Sequence, residues 1–330
     1  MGDVFVTGGT GVVGRPVVRR LLERGRKVVG LARSEAARRA LEKDGARSVP
    51  GDVTDEEALA RGMDGCSVVF HIAGLNAMCL RDPTELRRVN VLGTRAVLRA
   101  AARAGVPKLV YTSSAATIGE RKGTVGKEDS PHRGSFLSHY ERSKFEAERV
   151  ALTSRERDGV EVIAVNPSSV QGPGRAGGTA RILRAHLNGT LRFFVDTTVS
   201  LVDIDDCAEG HLLAEEQGVA GERYILSGTT MTTGEALDVV GRVTGRAARP
   251  RTVSPRAALA AASIIEAGSR VVRKEPPVCR EMVRTLLHGH AYDGSRAERE
   301  LGLTYTPAET TLRRTIEWLI DAGLVRTGGS

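Results

Sequence analysis

A tyrosine and a lysine stand four residues apart in the segment Tyr140-Glu141-Arg142-Ser143-Lys144. Apolar residues recur at helical spacing from Tyr140 to Glu156, and residues four apart lie on one face of a helix. A phenol with an ordinary pKa of about 10 is a poor acid at neutral pH, but a nearby ammonium lowers that pKa. We therefore predict that Tyr140 is a general acid/base and that Lys144 tunes it.

A hydroxyl-rich segment, Ser113-Ser114-Ala115-Ala116-Thr117, follows the predicted strand Lys108–Thr112. The carboxyl ends of parallel strands line the ligand crevice of a sheet. A hydroxyl at this place can hold a substrate carbonyl or alcohol beside the tyrosine. Capping of the turn is the other explanation for Ser113 and Thr117.

The glycine-rich segment Thr7–Gly14 follows the predicted strand Asp3–Thr7 and precedes a predicted helix. Gly8 permits a sharp turn, Gly11 lets the backbone approach a pyrophosphate, and Gly14 allows close packing of helix and strand. The N-terminus of the helix offers free N–H groups and a positive dipole end. This context predicts a dinucleotide site, and an ordinary tight turn is the alternative.

The next predicted strand ends at Leu31-Ala32-Arg33-Ser34. NAD-selective sites usually place an acid there to bind the ribose 2′-hydroxyl, whereas a guanidinium suits a 2′-phosphate. Arg33 and Ser34 therefore favour NADP(H), with NAD(H) as the alternative. The competing interpretation of Arg33 is a solvated residue at a helix start.

Strands that alternate with helices must position these residues. The predicted strands are Asp3–Thr7, Lys27–Ala32, Arg47–Val49, Ser67–Ile72, Lys108–Thr112 and Glu161–Val165. The predicted helices are Arg15–Arg24, Ala36–Lys43, Glu56–Met63, Glu85–Ala104 and Tyr140–Glu156. Repeated βαβ units predict an α/β fold, a doubly wound parallel (Rossmann) sheet.

The second half of the chain has longer loops and shorter strands. We expect residues 1–165 to form the dinucleotide-binding core with the Ser-Tyr-Lys site. Residues 166–330 would form a mixed α/β region that returns in part to the core sheet and is mainly a smaller C-terminal substrate-binding lobe. It includes predicted helices at Arg256–Ala267 and Glu309–Ala322. Within the first, the apolar stretch Ala257–Ile265 is interpreted as a core helix, lid or dimer contact, with an interfacial membrane anchor as the alternative.

Composition narrows the class of protein. The net charge is +8, but the arginines are scattered and aromatic residues make up only 4%, so we expect no nucleic-acid partner. No apolar run approaches the roughly 18 residues of a spanning helix, so no integral membrane segment is expected. Neither the histidines nor the cysteines have metal-ligand spacing, so no metal site is expected. Cys66, Cys79, Cys207 and Cys279 are predicted to be free thiols in a reducing cytoplasm.

Several of these motifs together resemble the extended branch of the short-chain dehydrogenase/reductase superfamily, over nearly the whole chain. The matching segments are Thr7–Gly14, Gly51-Asp52-Val53, His71-Ile72-Ala73-Gly74, Val89–Thr94 with Asn90, Thr112–Ala116, Tyr140–Lys144, Asn166-Pro167-Ser168, Val202–Ala208, Tyr292–Gly302 and Trp318.

The resemblance implies roles for individual residues. Lys144 would bind the nicotinamide ribose while it tunes Tyr140, and Ser114 would polarise the substrate, with Ser113 as the alternative. The other implied cofactor contacts are Thr10, Val12 and Val13 on the turn, Asp52 and Val53 at the adenine, Ala73 and Gly74 at the phosphates and ribose, and Pro167 and Ser168 at the nicotinamide. Relatives often form a homodimer through the helices Glu85–Ala104 and Tyr140–Glu156.

Within that branch, the chain is similar to dihydroflavonol reductases, 3β-hydroxysteroid dehydrogenases and the so-called hopanoid-associated sugar epimerases. Nucleotide-sugar enzymes typically carry Val-Tyr-Gly where this chain has Thr117-Ile118-Gly119, and they often place an arginine where it has Val199-Ser200-Leu201. We therefore expect an oxidoreductase that interconverts a secondary alcohol and a ketone on a bulky, apolar small molecule. A nucleotide-sugar epimerase/dehydratase is the alternative, and a non-catalytic dinucleotide-sensing regulator is the third hypothesis.

Overall fold

The computed structural model describes residues 2–245 and 250–325. The strands of this part of the chain are β1 (Asp3–Thr7), β2 (Val28–Ala32), β3 (Arg47–Pro50), β4 (Cys66–His71), β5 (Lys108–Thr112), β6 (Val125–Gly126), β7 (Glu161–Pro167), β8 (Ser169–Gln171), β9 (Phe193–Phe194), β10 (Thr198–Asp203), β11 (Arg223–Leu226), β12 (Thr229–Thr232), β13 (Arg251–Thr252) and β14 (Ala291–Tyr292).

The helices are α1 (Gly14–Glu23), α2 (Glu35–Asp44), α3 (Glu56–Met63), α4 (Thr84–Leu86), α5 (Gly93–Arg103), α6 (His139–Leu152), α7 (Ser154–Asp158), α8 (Ala180–Leu187), α9 (Ile204–Gln217), α10 (Thr233–Thr244), α11 (Pro255–Val271), α12 (Arg280–His288), α13 (Ser295–Leu301) and α14 (Ala308–Asp321). A π-helical turn (Arg87–Leu92) joins α4 to α5, and a 3-10 turn (Ala115–Ile118) follows β5.

Seven parallel strands form the main sheet, in the order β11-β7-β5-β4-β1-β2-β3. Successive side chains of a strand point to opposite faces, and β1 shows this directly: Val4 and Val6 belong to one buried cluster and Phe5 to another. Because helices cover both faces, the inner strands are largely apolar, whereas the edge strand β3 is partly exposed. The predicted doubly wound α/β fold is confirmed.

Two predicted helices are interrupted. The segment predicted as one helix over Glu85–Ala104 contains the π-helical turn, and the segment over Tyr140–Glu156 divides into α6 and α7 at Thr153. The apolar periodicity continues through both interruptions, so it did not reveal them. π-Helical turns are frequent at functional sites, and this one carries Asn90.

The second half contributes to two different parts of the molecule. Strand β11 lies at the edge of the main sheet, while β8, β10 and β12 form a small separate sheet. Helices α8, α10 and α14 pack together around Leu183, Val240 and Leu319. No helix within residues 2–245 and 250–325 is long and apolar enough to cross a membrane.

The prediction of four free thiols is wrong for one pair. Cys79 and Cys279 form a disulfide with their Cα atoms 5.5 Å apart, although 200 residues separate them in sequence. Cys66 and Cys207 are free and buried. The spacing of cysteines along the chain carries no information about a contact that the tertiary fold creates.

Candidate active site

The glycine turn lies between the carboxyl end of β1 and the N-terminus of α1. Gly8 adopts φ +72°, and a Cβ atom on Gly14 would lie 2.0 Å from the Gly8 carbonyl oxygen. The Gly11 N–H donates to that same oxygen (2.9 Å). Glycine is therefore required at Gly8 and Gly14 by backbone conformation and by close approach.

The N-terminus of α1 has no side-chain cap from the described residues. The Arg15 and Val17 N–H groups donate to the Gly11 and Val13 carbonyl oxygens (3.0 and 3.3 Å), while Thr10 and Val12 on the turn are exposed and Val13 is half-buried. The positive end of a helix dipole attracts an anion. The turn is thus suited to hold phosphate groups.

A buried histidine fixes the neighbouring strand end to this turn. His71, at the end of β4, lies 2.8 Å through Nδ1 from Thr7 Oγ1 and 3.0 Å through Nε2 from Thr94 Oγ1. The Thr7 hydroxyl also accepts the Ala73 N–H (3.1 Å). Burial lowers the pKa of His71 to about 3, with a smaller effect from the Lys144 charge, so the imidazole is neutral. These contacts give His71 a structural role, because it joins the ends of β1 and β4 to α5.

The end of β2 carries an exposed arginine. Arg33 forms no ion pair with any residue in the two described ranges, whereas Arg38 on α2 is bound to Glu35 and Glu42. The Ser34 hydroxyl caps α2 by accepting the Ala37 N–H (3.2 Å). A free guanidinium therefore stands where the adenosine ribose of a dinucleotide is expected.

Asp52 and Val53, the residues expected at the adenine, follow β3. The Asp52 carboxylate accepts from the Thr54 N–H (3.1 Å) and hydroxyl (2.8 Å), and from Arg88 Nη1 (3.3 Å). Val53 is buried against Gly93 at the start of α5. These contacts fix the loop, and Asp52 already has partners within the protein.

Ser114 and Tyr140 meet at the carboxyl end of β5. Burial raises the pKa of Tyr140, while a hydrogen bond with the Ser114 hydroxyl and the charge of Arg175 lower it. The Ser114 oxygen accepts the Ala116 N–H (3.3 Å), and its hydroxyl proton serves Tyr140. Ser113, the alternative, is buried and its Oγ has no partner among the described residues.

Lys144 lies near this pair, and its roles in tuning Tyr140 and binding the nicotinamide ribose stay predictions. Its Nζ donates to Tyr111 Oη (2.9 Å) and to the Thr112 carbonyl oxygen (2.7 Å). Burial lowers the pKa of Lys144 to about 8, and the Glu148 carboxylate opposes that effect. The cation that lowers the pKa of Tyr140 in this structure is Arg175, which sequence reasoning did not select. Helical spacing placed Lys144 correctly on the face of α6 but did not show that β5 would bind its ammonium.

A second residue of α6 that the sequence did not reveal is Glu148, one turn beyond Lys144. Its carboxylate accepts from Thr117 Oγ1 (2.9 Å), Asn166 Nδ2 (2.5 Å) and Arg223 Nη1 (3.0 Å). Thr117 Oγ1 and Asn166 Nδ2 both also donate to the Ser114 carbonyl oxygen, at 2.8 Å and 3.2 Å. This network holds the turn that presents Ser114. An acidic residue four positions after the lysine was the only available sequence signal.

Asn90 lies in the π-helical turn and forms part of the opposite wall of the crevice. Its Oδ1 accepts the Leu75 N–H (2.7 Å), and its Nδ2 donates to the Leu75 carbonyl oxygen (3.1 Å) and to Ser143 Oγ (2.9 Å). A Cβ atom added to Gly74 would lie 3.4 Å from Asn90 Oδ1 and 3.7 Å from Lys144 Nζ. Gly74 thus leaves an open path between Ala73 and the Tyr140 helix.

Pro167 ends β7 beside the same crevice, and Ser168 follows it. The Ser168 N–H donates to the Leu226 carbonyl oxygen (2.9 Å), while its Oγ is buried without a partner in the described part of the chain. The glycine cradle, the uncapped α1 N-terminus and the orphaned serine hydroxyls fit a nicotinamide dinucleotide laid across the strand ends.

The disulfide lies at the entrance to this crevice. It joins the loop after β4 to the residue before α12. Next to it, the Glu281 carboxylate accepts the Cys79 N–H (2.9 Å) and the His139 N–H (3.1 Å), which immediately precedes Tyr140. The start of α12 is therefore fixed to both the loop after β4 and the Tyr140 helix.

A cluster of metal-ligand residue types lies outside the crevice. The ligand atoms of Glu120, His288 and His290 lie within 4.8 Å of one another. His290 Nδ1 is 2.6 Å from Glu120 Oε1, and Arg133 donates to the Glu120 carbonyl oxygen (3.3 Å). These contacts link the loop after the 3-10 turn to the α12–β14 connection, a contact across 168 residues that the sequence did not reveal.

Comparison with known proteins places these features in a family. The sequence model of the NAD dependent epimerase/dehydratase family matches residues 4–227. A Synechocystis sp. protein named putative dihydroflavonol 4-reductase is 34% identical over 98% of this chain and 96% of its own length. A Stigmatella aurantiaca protein named 4-hydroxy-2-methyl-3-oxo-4-farnesyl-3,4-dihydroquinoline-1-oxide ketoreductase is 31% identical over 90% of each chain. The crystal structure of gox2253 is similar with a TM-score of 0.86 and 32% identity, over 98% of this chain and 99% of that one.

Proposed function

Since the chain belongs to the NAD dependent epimerase/dehydratase family and is an NAD(P)-dependent oxidoreductase, we propose that it interconverts a ketone and a secondary alcohol on a bulky, apolar small molecule. The balanced reaction is ketone + NADPH + H⁺ to alcohol + NADP⁺. The observation that carries this proposal is the packing of α6 against the 3-10 turn after β5, which brings Tyr140 near Ser114 so that the Ser114 hydroxyl lowers the pKa of Tyr140. The names of relatives as reductases support it.

The cofactor, when bound, supplies the hydride that the carbonyl carbon receives. Ser114 holds the carbonyl oxygen by a hydrogen bond from its hydroxyl group, while its own oxygen accepts the Ala116 N–H. Tyr140 donates the proton that completes the alcohol. Burial raises the pKa of Tyr140, so the phenol keeps its proton at neutral pH, while the Ser114 hydroxyl and the charge of Arg175 oppose that rise. Lys144 positions the end of β5 through Tyr111 and the Thr112 carbonyl oxygen.

Substitution of the tyrosine tests this mechanism. Y140F keeps the ring and removes the acidic hydroxyl, so kcat for ketone reduction should fall by about 100- to 10,000-fold. NADPH affinity, measured by fluorescence titration, should stay unchanged. Retention of most of the rate in Y140F would refute the assignment.

The two serines provide a matched pair of variants. S114A should lower kcat strongly, because Ser114 contacts Tyr140, whereas S113A should keep kcat, because Ser113 Oγ is buried without a partner among the described residues. The opposite result would transfer the role to Ser113. Conversion of UDP-glucose without added reductant would instead support the nucleotide-sugar alternative and overturn the reductase proposal.

We further propose that the cofactor is NADP(H), selected by the free guanidinium of Arg33. R33A should raise KM for NADPH about tenfold and leave KM for NADH unchanged, because one charge-assisted contact to the 2′-phosphate is lost. R39A is the control, since Arg39 is an exposed arginine of α2 that lies 3.8 Å from Glu35. Equal use of NADH and NADPH by the unmodified protein would contradict the proposal.

A further inference from the structure

Helix α11 presents apolar side chains to solvent. Among its 17 residues, only Ala262 is buried. Ile264 is 72% exposed, and the exposed fractions of Val271 and of Val272 at the end of the helix are 84% and 62%. The interpretation of Ala257–Ile265 as a core helix is therefore wrong.

The exposed apolar residues of α11 lie on one side of the helix. With about 3.6 residues per turn, six of them fall within about 100° around the helix axis. This α11 face consists of Ala257, Ala261, Ile264, Gly268, Val271 and Val272. The opposite side packs on α12, where the Glu266 carboxylate accepts from Arg270 Nη2 (2.7 Å) and from the Arg280 N–H (3.2 Å). A surface helix normally buries its apolar side, so the polarity of α11 is inverted.

Unpaired cations border the α11 face at both ends. Residues 255–280 carry five basic and two acidic side chains. Arg256 precedes the face, and Arg273 and Lys274 follow it directly. All three are exposed, and none has an ion-pair partner in the described part of the chain. An apolar helix face with lysine and arginine beside it is typical of helices that lie in a membrane interface.

Shape and charge favour a lipid surface over a second copy of this chain. Two copies related by a two-fold axis would bring the same patch together, so basic ends would meet basic ends whichever way the helices ran. The face is also a convex ridge of one helix, whereas pockets for small molecules are concave. A bilayer admits such a ridge between its headgroups, and anionic headgroups neutralise the cations beside it. Because the other side of α11 carries Glu266 and packs on α12, the helix would lie on the bilayer and would not span it.

We propose that α11 binds the surface of an anionic phospholipid bilayer, with the α11 face at the acyl-chain boundary and the flanking cations at the phosphate groups. The C-terminal end of α11 lies beside the entrance to the crevice, because Arg81 of the loop after β4 donates to the Arg273 carbonyl oxygen (2.8 Å). The Cys79–Cys279 disulfide joins the same loop to the residue before α12. Binding therefore brings the crevice entrance close to the lipid. This inference does not depend on the reaction proposed above.

Vesicle flotation with the full chain tests the proposal. The unmodified protein should float with vesicles that contain phosphatidylglycerol, and its apparent affinity for pure phosphatidylcholine vesicles should be about tenfold lower. I264S/V271S should lower the affinity for both kinds of vesicle by about tenfold or more, because apolar area is lost from the face. R273Q/K274Q should lower it about tenfold for the phosphatidylglycerol vesicles alone.

Two double variants outside α11 are the matched controls. V125S/V219S removes two valines that are 54% and 56% exposed, and R39Q/K43Q removes two exposed cations of α2. Both should bind vesicles as the unmodified protein does. The urea midpoint of I264S/V271S should be unchanged, because the replaced side chains are exposed, so a loss of flotation would not be a loss of folding.

A fluorescence measurement reports whether the face enters the acyl chains. The chain has a single tryptophan, Trp318, which lies outside α11. The added tryptophan of I264W should shift its emission to shorter wavelength with phosphatidylglycerol vesicles and should be quenched by lipids with brominated acyl chains. V219W is the control and should show neither effect.

The same variants identify the other occupants of the face. Light scattering without vesicles gives the molar mass in solution, and conversion of a dimer into monomers by I264S/V271S would assign the face to a second copy and overturn the proposal. Failure of the unmodified protein to float, or equal flotation of I264S/V271S, would overturn it as well.

Discussion

The buried carboxylate of Glu148 links the stability of the fold to the geometry of the active site. One carboxylate oxygen accepts from Arg223, and the other accepts from Thr117 and Asn166. Glu148→Gln replaces one oxygen with an amino group that cannot accept a hydrogen bond. The new amino group of the glutamine then faces either Arg223 or the Thr117–Asn166 pair, and these groups are donors themselves.

The size of the effect follows from burial. The Glu148 side chain is 3% exposed and that of Arg223 is 22% exposed. Loss of one partner of a buried ion pair costs about 3–5 kcal/mol in free energy of unfolding, and the partial exposure of Arg223 places this pair near about 3 kcal/mol. Since Thr117 and Asn166 also hold the Ser114 carbonyl oxygen, kcat should fall about 10- to 100-fold through misplacement of Ser114.

Urea unfolding and ketone reduction measure the two effects in parallel. E146Q is the control on the same helix, because Glu146 forms an exposed pair with Arg142 at 2.8 Å and should contribute only about 0.5 kcal/mol. The double variant E148Q/R223M should lose less stability than the sum of the single variants, because it leaves no unpaired guanidinium. If E148Q were as stable and as active as the unmodified protein, the network would not support Ser114.

Three further predictions concern the turn, the buried histidine and the disulfide. G14A should weaken NADPH binding more than tenfold in fluorescence titrations, because its Cβ would lie 2.0 Å from the Gly8 oxygen, whereas G268A, which faces open space, should not. Burial lowers the pKa of His71 to about 3, so the unfolded chain binds a proton below pH ~6.5 that the native state does not take up. His71 should therefore contribute a fall of about 1.4 kcal/mol per unit in the free energy of unfolding as the pH decreases from there to about 3. H71Q should reduce the slope in urea titrations by that amount, while the part due to His211, whose pKa burial lowers to about 4, should remain. Reduction of the Cys79–Cys279 disulfide, which closes a loop across 200 residues, should lower the free energy of unfolding by up to about 5 kcal/mol, and an unchanged urea midpoint under dithiothreitol would contradict this.

Local sequence signals were sufficient to predict strands of the main sheet. The apolar runs of β1, β2 and β7 predicted strands within a residue or two of their observed bounds, because strands buried on both faces must be apolar throughout. The π-helical turn around Asn90 was not predictable in this way. Its side chains keep the apolar face of the helix, and only the backbone hydrogen bonds differ.

The sequence by itself determined that a strand, a glycine turn and a helix would form a phosphate cradle, and that Tyr140 and Lys144 would share a helix face. These features depend on residues within one or two helical turns of each other, where chain geometry sets the distance. Only the tertiary structure decided that Lys144 is bound by β5, that Arg175 is the cation acting on Tyr140, and that Cys79 bonds to Cys279. These pairs are between 32 and 200 residues apart. At such separations the packing of helices and strands sets the distance between two residues, and their spacing along the chain does not predict it.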